Sequence, residues 1–252
     1  MRLRAAVLAL LAASAWAAPG DARRSGFEDM GPATQAMQRD DAMNPAMLWA
    51  AEGEQLWARA PSASARSCAG CHGEPSSLRG VAARYPAWDE VLARPVDLST
   101  RIDLCRQRHQ GQPAWTAEHE ELLALETLVG LQSRGLPIAP RPDPRLAPHV
   151  ARGEALFRQR MGQLALSCAQ CHEEHAGGKL AGSPIPQGHA TGYPIYRLEW
   201  QGLGSLWRRV RGCMTGVRAE PFAAGSIEFT ELELYLAARA TGMPVETPAV
   251  RP

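Results

Sequence analysis

Cys68-Ala69-Gly70-Cys71-His72 recurs as Cys168-Ala169-Gln170-Cys171-His172, one hundred positions further along the chain. A CxxCH sequence is typical of c-type haem attachment, in which both thiols bond to one haem and the histidine becomes an axial ligand of iron. Residues i, i+3 and i+4 share a helix face, so one short turn can present all three side chains to the same porphyrin edge. Two copies in register predict two covalently bound haem c groups and disfavour the alternative of a zinc site.

The first residues have the pattern of a signal peptide. Arg2 and Arg4 precede an apolar run over residues 5–15, and Ala15-Trp16-Ala17 offers a small-x-small cleavage site. The run is shorter than the roughly 20 residues that span a bilayer. We therefore expect residues 1–17 to be removed and the mature chain to be soluble, without a membrane span. Because bacteria attach haem c outside the cytoplasm, the expected location is the periplasm.

The composition gives no sign of a nucleic-acid or membrane partner. The 27 basic and 26 acidic residues leave a formal net charge of +1, so no bulk field attracts a polyanion. Twenty prolines and 23 glycines indicate much irregular chain between short helices. A haem adds its own apolar surface to a core, so such loop-rich domains can still fold.

The repeat extends beyond the haem motifs. Gly53-Glu54-Gln55-Leu56-Trp57 matches Gly153-Glu154-Ala155-Leu156-Phe157, and each stretch begins a helix that leads towards its haem motif. Amphipathic helices are predicted later in each half, over Glu120–Leu131 and Thr230–Ala240. They stop at Gly135-Leu136-Pro137 and Gly242-Met243-Pro244, where glycine followed by proline ends a helix.

Helix, CxxCH, loops and a final helix is the order of a cytochrome c domain, in which the first and last helices cross. Trp57 and Phe157 are expected at the two crossings. The predicted fold is therefore mostly α, with two tandem cytochrome c-like domains that contain much irregular loop and arose by internal duplication. The alternative is two unrelated amphipathic helices that only look alike.

The predicted domain organisation follows from this repeat. Residues 18–50 form an N-terminal arm, extended with one short helix, and residues 51–136 form the first cytochrome c-like domain. Residues 137–148 hold five prolines and are expected to be an extended, semi-rigid linker. Residues 149–252 form the second domain, which carries the expected active site.

Cys105 and Cys213 remain after four cysteines are assigned to haem thioethers. Each follows a basic, helix-prone run at a similar place in its repeat, where a cytochrome c domain often supplies the sixth iron ligand. No methionine lies between His72 and the end of the first repeat. We therefore expect His72 and Cys105 as axial ligands of the first iron, and His172 and Cys213 of the second. A thiolate ligand should make both haems low in potential.

Two alternatives for these cysteines stay open. A Cys105–Cys213 disulfide could join the two domains in an oxidising compartment. Alternatively, Met214 could ligate the second iron and leave Cys213 as a free thiol.

Cys213 has the more unusual surroundings. Arg209 lies four residues before it and shares its helix face, and further arginines stand at 208, 211 and 218. Positive charge stabilises a thiolate, and arginine matches an oxyanion with a planar fork of donors. Gly212 and Gly216 leave space around the sulfur. A basic run is often only a solvated helix face, but beside a candidate iron ligand it predicts a reactive, anion-binding site.

Several longer strings resemble the SoxA family of dihaem cytochromes, and the likeness covers nearly the whole mature chain. The strings are Asp40-Asp41, Asn44-Pro45-Ala46-Met47-Leu48-Trp49, Tyr85-Pro86-Ala87-Trp88, Ser183-Pro184-Ile185-Pro186-Gln187-Gly188-His189, residues 192–200, residues 209–214 and residues 246–252. Some members of that family lack the first haem. This chain keeps Cys68, Cys71, His72 and Cys105, so it resembles the two-haem type.

The resemblance implies an L-cysteine S-thiosulfotransferase, which joins thiosulfate oxidatively to a cysteine of the SoxY subunit of the SoxYZ carrier. Electrons would leave through haem to a cytochrome c, and the one-haem cytochrome SoxX would form a heterodimer with this chain. The family's catalytic cysteine, which carries a persulfide, falls on Cys213, and its substrate-binding arginine falls on Arg209.

The residues alone leave two other functions open. A non-catalytic dihaem electron carrier would need only haems and a docking face, but such carriers usually have Met or His as sixth ligand. A dihaem peroxidase would need an open iron site.

Overall fold

The structure is a computed structural model that describes residues 21–252. The expected signal peptide lies outside the described residues. The α-helices are α1 Pro32–Arg39, α2 Met47–Ala58, α3 Cys68–His72, α4 Leu98–Gln110, α5 Glu120–Leu131, α6 Ala147–Arg158, α7 Leu206–Gly216 and α8 Ile227–Arg239. The strands are β1 Ala87–Asp89, β2 Arg94–Val96, β3 Lys179–Leu180, β4 Ser183–Pro184, β5 Ile195–Arg197, β6 Gly202–Gly204 and β7 Ala249–Arg251. Short 3₁₀ turns cover Pro75–Leu78, Ala82–Arg84 and Pro144–Leu146, and Gln170–Glu174 forms a π-helical turn.

Two helix crossings organise the molecule, and both involve a glycine. α2 packs across α5, and α6 packs across α8. A Cβ on Gly53 would lie 2.5 Å from the carbonyl oxygen of Ala124, and a Cβ on Gly153 would lie 2.0 Å from that of Glu231. Only glycine lets the backbones approach so closely. The predicted pairing of the first and last helix in each repeat is confirmed.

Each crossing lies in its own apolar core. Trp57 is 6% exposed at the first crossing and Phe157 is 1% exposed at the second, as predicted. The first core comprises Leu56, Trp57, Leu98, Ala124, Leu125, Leu128 and Val129. The second comprises Phe157, Ala169, Leu206, Phe229, Leu232, Tyr235 and Leu236. Two separate cores with the same helix arrangement confirm a mostly helical fold built from a duplicated unit.

The small sheets lead the chain into α4 and α7. β1 and β2 form an antiparallel hairpin before α4, and β5 and β6 form another before α7. The side chain of Asp97 caps α4 by accepting the backbone N–H of Thr100 at 2.6 Å, and Ser205 caps α7 by accepting that of Arg208 at 3.1 Å. β7 adds to β5 in parallel, which brings residues 249–251 beside the second hairpin.

The predicted linker is partly folded. The backbone N–H of Ile138 donates to the carbonyl of Met243 at 2.8 Å, and that of Gly242 donates to the carbonyl of Ile138 at 2.8 Å. These bonds join the start of residues 137–148 to the end of the second half. A 3₁₀ turn then leads directly into α6 at Ala147, so the extended part of the segment is short.

The predicted arm contains α1, which packs against β7. The side-chain amide of Asn44 donates to the carbonyl of Pro248 at 2.9 Å and fixes the end of the arm to the C-terminal residues. Within residues 21–252, no helix has the length and apolar character that crossing a membrane requires.

Candidate functional site

The first haem motif is the short helix α3. The hydroxyl of Ser67 caps this helix by accepting the backbone N–H of Gly70 at 3.0 Å. The indole N–H of Trp57 donates to the carbonyl of Gly73 at 2.8 Å, and its ring centroid lies 5.7 Å from that of His72. The crossing helix α2 therefore holds the C-terminal end of the motif.

Cys105 lies on α4, close to the thiols of this motif. Burial, followed by the charge of Cys71, raises the pKa of the Cys105 thiol. Burial, followed by the charge of Cys105, raises the pKa of Cys68. The structure therefore brings Cys105 near both thiols of the first CxxCH motif, although 33 residues separate it from His72 in sequence.

The second haem motif has a different backbone conformation from the first, but it offers the same two thiols and imidazole. Ser167 and Gln170 cap each other: the Gln170 N–H donates to the Ser167 hydroxyl at 3.2 Å, and the Ser167 N–H donates to the Gln170 side chain at 3.0 Å. Nδ1–H of His172 donates to the carbonyl of Pro186 at 2.8 Å. This bond leaves Nε2 as the nitrogen with a free lone pair, which is the arrangement of a metal-binding histidine.

The loop that holds His172 comes very close to its ring. Gly188 has φ +73°, and a Cβ there would lie 2.9 Å from Cγ of His172. A side chain at this position would displace the imidazole. The residues of this loop, Pro186 and Gly188, were part of a recognisable string, but their contact with His172 was not predicted from the sequence.

Cys213 lies on α7, on the same side as the second motif. Burial, followed by the charge of Cys213, raises the pKa of the Cys168 thiol to about 11. Cys213 itself is exposed, and no atom comes within 4 Å of a Cβ built on Gly212 or Gly216. Met214 is buried at 4% exposure. A side chain at Gly212 or Gly216 would therefore meet open space, next to the exposed Cys213.

The six cysteines divide into two groups of three. All six lie within the described residues and carry free thiols in the structure. Cys105 is near the first pair and Cys213 is near the second, so neither faces the other across the domains. Two adjacent thiols, an imidazole and a further thiol in each half have the donor chemistry that a covalently bound haem c requires.

Positive charge surrounds Cys213. Arg209 lies one helical turn before it and lowers the pKa of His172, for which burial is the larger cause. Burial raises the pKa of Tyr193 to about 12; the charge of Arg209 lowers it and that of Cys213 raises it. Tyr193 and Arg197 belong to this environment but were not predicted as site residues. The signal for them was the match between Tyr85-Pro86 and Tyr193-Pro194 in the two halves.

A cavity of about 720 Å³ lies between the two halves and is lined by residues of both, including acidic side chains. Asp97, Glu126 and Glu233 line it, whereas none of the predicted iron ligands does. Burial, then the charges of Asp97 and Glu118, raises the pKa of Glu126 to about 8, and one carboxyl oxygen of Glu126 is buried without a hydrogen-bond partner. This cavity is therefore distinct from both haem motifs.

Comparison with known proteins places both halves in one family. The family described as SoxA/TsdA, cytochrome c domain, matches residues 52–138 and 152–245. The chain is 35% identical to the L-cysteine S-thiosulfotransferase subunit SoxA of Paracoccus pantotrophus, over 90% of this chain and 78% of that protein. It is 36% identical to the same subunit of Pseudaminobacter salicylatoxidans, over 92% of this chain and 82% of that protein. The crystal structure of SoxXA from P. pantotrophus superposes with a TM-score of 0.88 and 35% identity, covering 91% of this chain and 87% of that chain.

Proposed function

The chain belongs to the SoxA/TsdA cytochrome c family, and we propose that it is a SoxA-type L-cysteine S-thiosulfotransferase subunit that acts in thiosulfate oxidation. Relatives named for this activity match the chain at 35% and 36% identity over nine-tenths of its length. The observation that carries the proposal is Cys213: its exposed sulfur lies near Cys168, with Arg209 one turn away on the same helix.

The proposed reaction joins thiosulfate to a cysteine of a carrier protein. A carrier thiolate and the thiosulfate dianion lose two electrons together, and the product is a carrier S-thiosulfonate with one negative charge. Arg209 binds the dianion, because a guanidinium offers paired donors to neighbouring oxyanion oxygens. Cys213 forms a transient sulfur–sulfur bond with the sulfane sulfur as the two electrons leave. The carrier thiolate then attacks that sulfur, the bond to Cys213 breaks, and Cys213 is released as a thiolate. The open space beside Gly212 and Gly216 admits both reactants.

The cofactor assignment is haem c, with one group in each half. Cys68 and Cys71 would hold the first haem covalently, and His72 and Cys105 would bind its iron. Cys168 and Cys171 would hold the second, and His172 and Cys213 would bind its iron. When bound, the haem supplies a one-electron acceptor beside the reacting sulfur. The hydrogen bond from His172 to Pro186 orients that imidazole, which supports its assignment.

The partners and the location follow from the same proposal. The match to a SoxXA structure supports a SoxX monohaem cytochrome as the heterodimer partner. SoxYZ would provide the carrier cysteine, and a cytochrome c would accept the electrons. We place the chain in the periplasm after removal of residues 1–17. The working division is an arm at 18–50, domains at 51–136 and 149–252, and a linker at 137–148.

The test is turnover of the complete system with Cys213→Ala. The assay contains the haem-loaded chain, its SoxX partner, the carrier, thiosulfate and oxidised cytochrome c, and it follows cytochrome c reduction. The variant should lose turnover to background while the complex still forms. Full turnover by Cys213→Ala would reject the proposal and leave a plain dihaem electron carrier.

Met214→Leu is the matched control. It alters the neighbouring sulfur on α7 but conserves volume at a buried position, so stability should change by less than about 1.5 kcal/mol. Turnover and the haem absorption spectrum should stay close to wild type. A spectral change in Met214→Leu but not in Cys213→Ala would instead assign the axial ligand to Met214.

A further inference from the structure

The two halves share a second register, which the haem motifs do not reveal. Tyr85 to Asp89 corresponds to Tyr193 to Arg197, an offset of 108 positions that also relates Cys105 to Cys213. The hairpins agree: Asp89 pairs with Arg94 at the end of β1, and Arg197 pairs with Gly202 at the end of β5. One position at the end of these strands is therefore an aspartate in the first half and an arginine in the second.

In the first half, this aspartate neutralises the arginines that flank Cys105. Asp89 is 1% exposed and accepts hydrogen bonds from Arg108 at 3.0 and 3.2 Å. Arg101, four residues before Cys105, lies 2.7 Å from the same carboxylate. The hydrogen bond from Arg108 is the largest cause that holds the pKa of Asp89 well below its usual range. Within residues 21–252, both arginines that influence Cys105, Arg101 and Arg108, are therefore paired with this carboxylate.

In the second half, Arg209 is the counterpart of Arg101 and Arg197 is the counterpart of Asp89. Because Asp89 and Arg101 lie 2.7 Å apart in the first half, the shared register predicts that Arg197 lies beside Arg209. Within residues 21–252, no carboxylate lies within 4 Å of the Arg209 guanidinium. Arg197 is paired with Glu199 at 2.7 Å, but the Glu199 side chain is 64% exposed, whereas that of Asp89 in the first half is 1% exposed. Water and salt therefore screen the charge of Glu199 far more than that of Asp89. Its Nε–H also donates to the carbonyl of Pro252 at 2.8 Å, which holds the side chain in place.

The charges at this site influence one another. Burial lowers the pKa of Arg197, Arg209 lowers it further, and a Cys213 thiolate acts in the opposite direction. The Arg197 side chain is 14% exposed, so its charge is only partly screened by water. Two guanidiniums that repel each other beside a sulfur form a site that a dianion would stabilise.

We propose that Arg197 is a second oxyanion-binding residue for thiosulfate, acting with Arg209. The position that holds Asp89 in the first half holds Arg197 in the second, and this difference makes the second haem site, and not the first, the substrate site. This inference rests on the proposed function. Arg197 would bind sulfonate oxygens from the strand side while Arg209 binds from the helix side. The dianion charge is then balanced by two fixed cations from different elements.

The test compares Arg197→Gln with Glu199→Gln in the haem-loaded complex with SoxX and carrier. Loss of a charge-assisted donor to an oxyanion should raise the KM for thiosulfate about ten- to hundred-fold, with a smaller change in kcat. Glu199→Gln removes the exposed partner but keeps the guanidinium, so its KM should be unchanged or lower. A KM for Arg197→Gln within twofold of wild type would overturn the inference.

A second experiment measures thiosulfate binding directly, without turnover. Thiosulfate is titrated into the oxidised complex without carrier, and the shift in the haem absorption band gives a dissociation constant. Arg197→Gln should weaken this binding by the same factor as KM. Arg197→Lys keeps a charge but not the planar fork, so the loss should be smaller. If Arg197 only tethers Pro252, both variants should lower the melting temperature and leave the dissociation constant unchanged.

Arg209→Gln separates this inference from the proposed function. A raised KM in Arg209→Gln but not in Arg197→Gln leaves the thiosulfotransferase standing and removes Arg197 from the site. An unchanged KM in both variants counts against thiosulfate binding at Cys213 altogether.

Discussion

Gly153 should not tolerate even a methyl group. A Cβ at this position would lie 2.0 Å from the carbonyl oxygen of Glu231, a backbone atom of the crossing helix α8. A methyl carbon and a carbonyl oxygen need about 3.3 Å, so α6 and α8 must separate by about 1.3 Å. Overpacking of this kind costs about 3 kcal/mol at the upper end of its range, and the better helix propensity of alanine returns about 1 kcal/mol. We expect Gly153→Ala to lose about 2 kcal/mol of unfolding free energy.

Thermal unfolding of the haem-loaded protein, followed by far-ultraviolet circular dichroism, measures this loss. For a chain of this size, about 2 kcal/mol corresponds to a melting temperature lower by roughly 4–8 °C. Gly212→Ala is the control, because it makes the same change inside α7 where no atom lies within 4 Å of the new Cβ. It should gain up to about 1 kcal/mol. A Gly153→Ala protein that melts at or above the wild-type temperature would refute the close crossing.

Two further predictions concern buried carboxyl groups. The pKa of Glu126 is raised to about 8 in the folded chain, so the native state binds more protons than the unfolded state, and stability should fall as pH rises from about 4.5 to about 8. Glu126→Gln removes this group, so the free energy of unfolding, measured by chemical denaturation at a series of pH values, should fall less steeply with pH than in the wild type. Equal slopes in the two proteins would contradict the raised pKa of Glu126. Asp89→Asn weakens its ion pairs with Arg101 and Arg108, whose side chains are 32% and 27% exposed, and should cost about 1–3 kcal/mol at pH 7. Thermal unfolding tests this, and Glu90→Gln, which breaks only an exposed pair, should change the melting temperature little.

Much of the helical framework was predictable because its signals are local. α5 spans Glu120–Leu131, the range that apolar periodicity and the Gly-Leu-Pro stop indicate. α8 begins at Ile227, three residues before the predicted start, because the Ser226 hydroxyl caps the helix by accepting the backbone N–H of Phe229 at 3.2 Å. The periodic pattern identified the helix, but the cap determined where it begins.

The candidate site also has features that the sequence predicted and features that it did not. The repeat predicted that Cys105 and Cys213 occupy equivalent places, and each lies near its own CxxCH motif. The bond from His172 to Pro186 and the close approach of Gly188 depend on how the loop after the second motif folds back, which no periodicity encodes. Loop contacts of this kind were therefore missed although the string itself was recognised.

By itself, the amino-acid sequence determined the two haem motifs, the duplicated helices and the basic turn that ends at Cys213. These features arise within one or two helical turns, where spacing alone sets which side chains are neighbours. Only the tertiary structure decided that Asp89 pairs with Arg101 and Arg108, and that the charge of Arg209 acts on Arg197. Those contacts join a strand to a helix further along the chain. Their geometry depends on hairpin register and on how the strands pack against α4 and α7, which is a property of the folded molecule and not of any local segment.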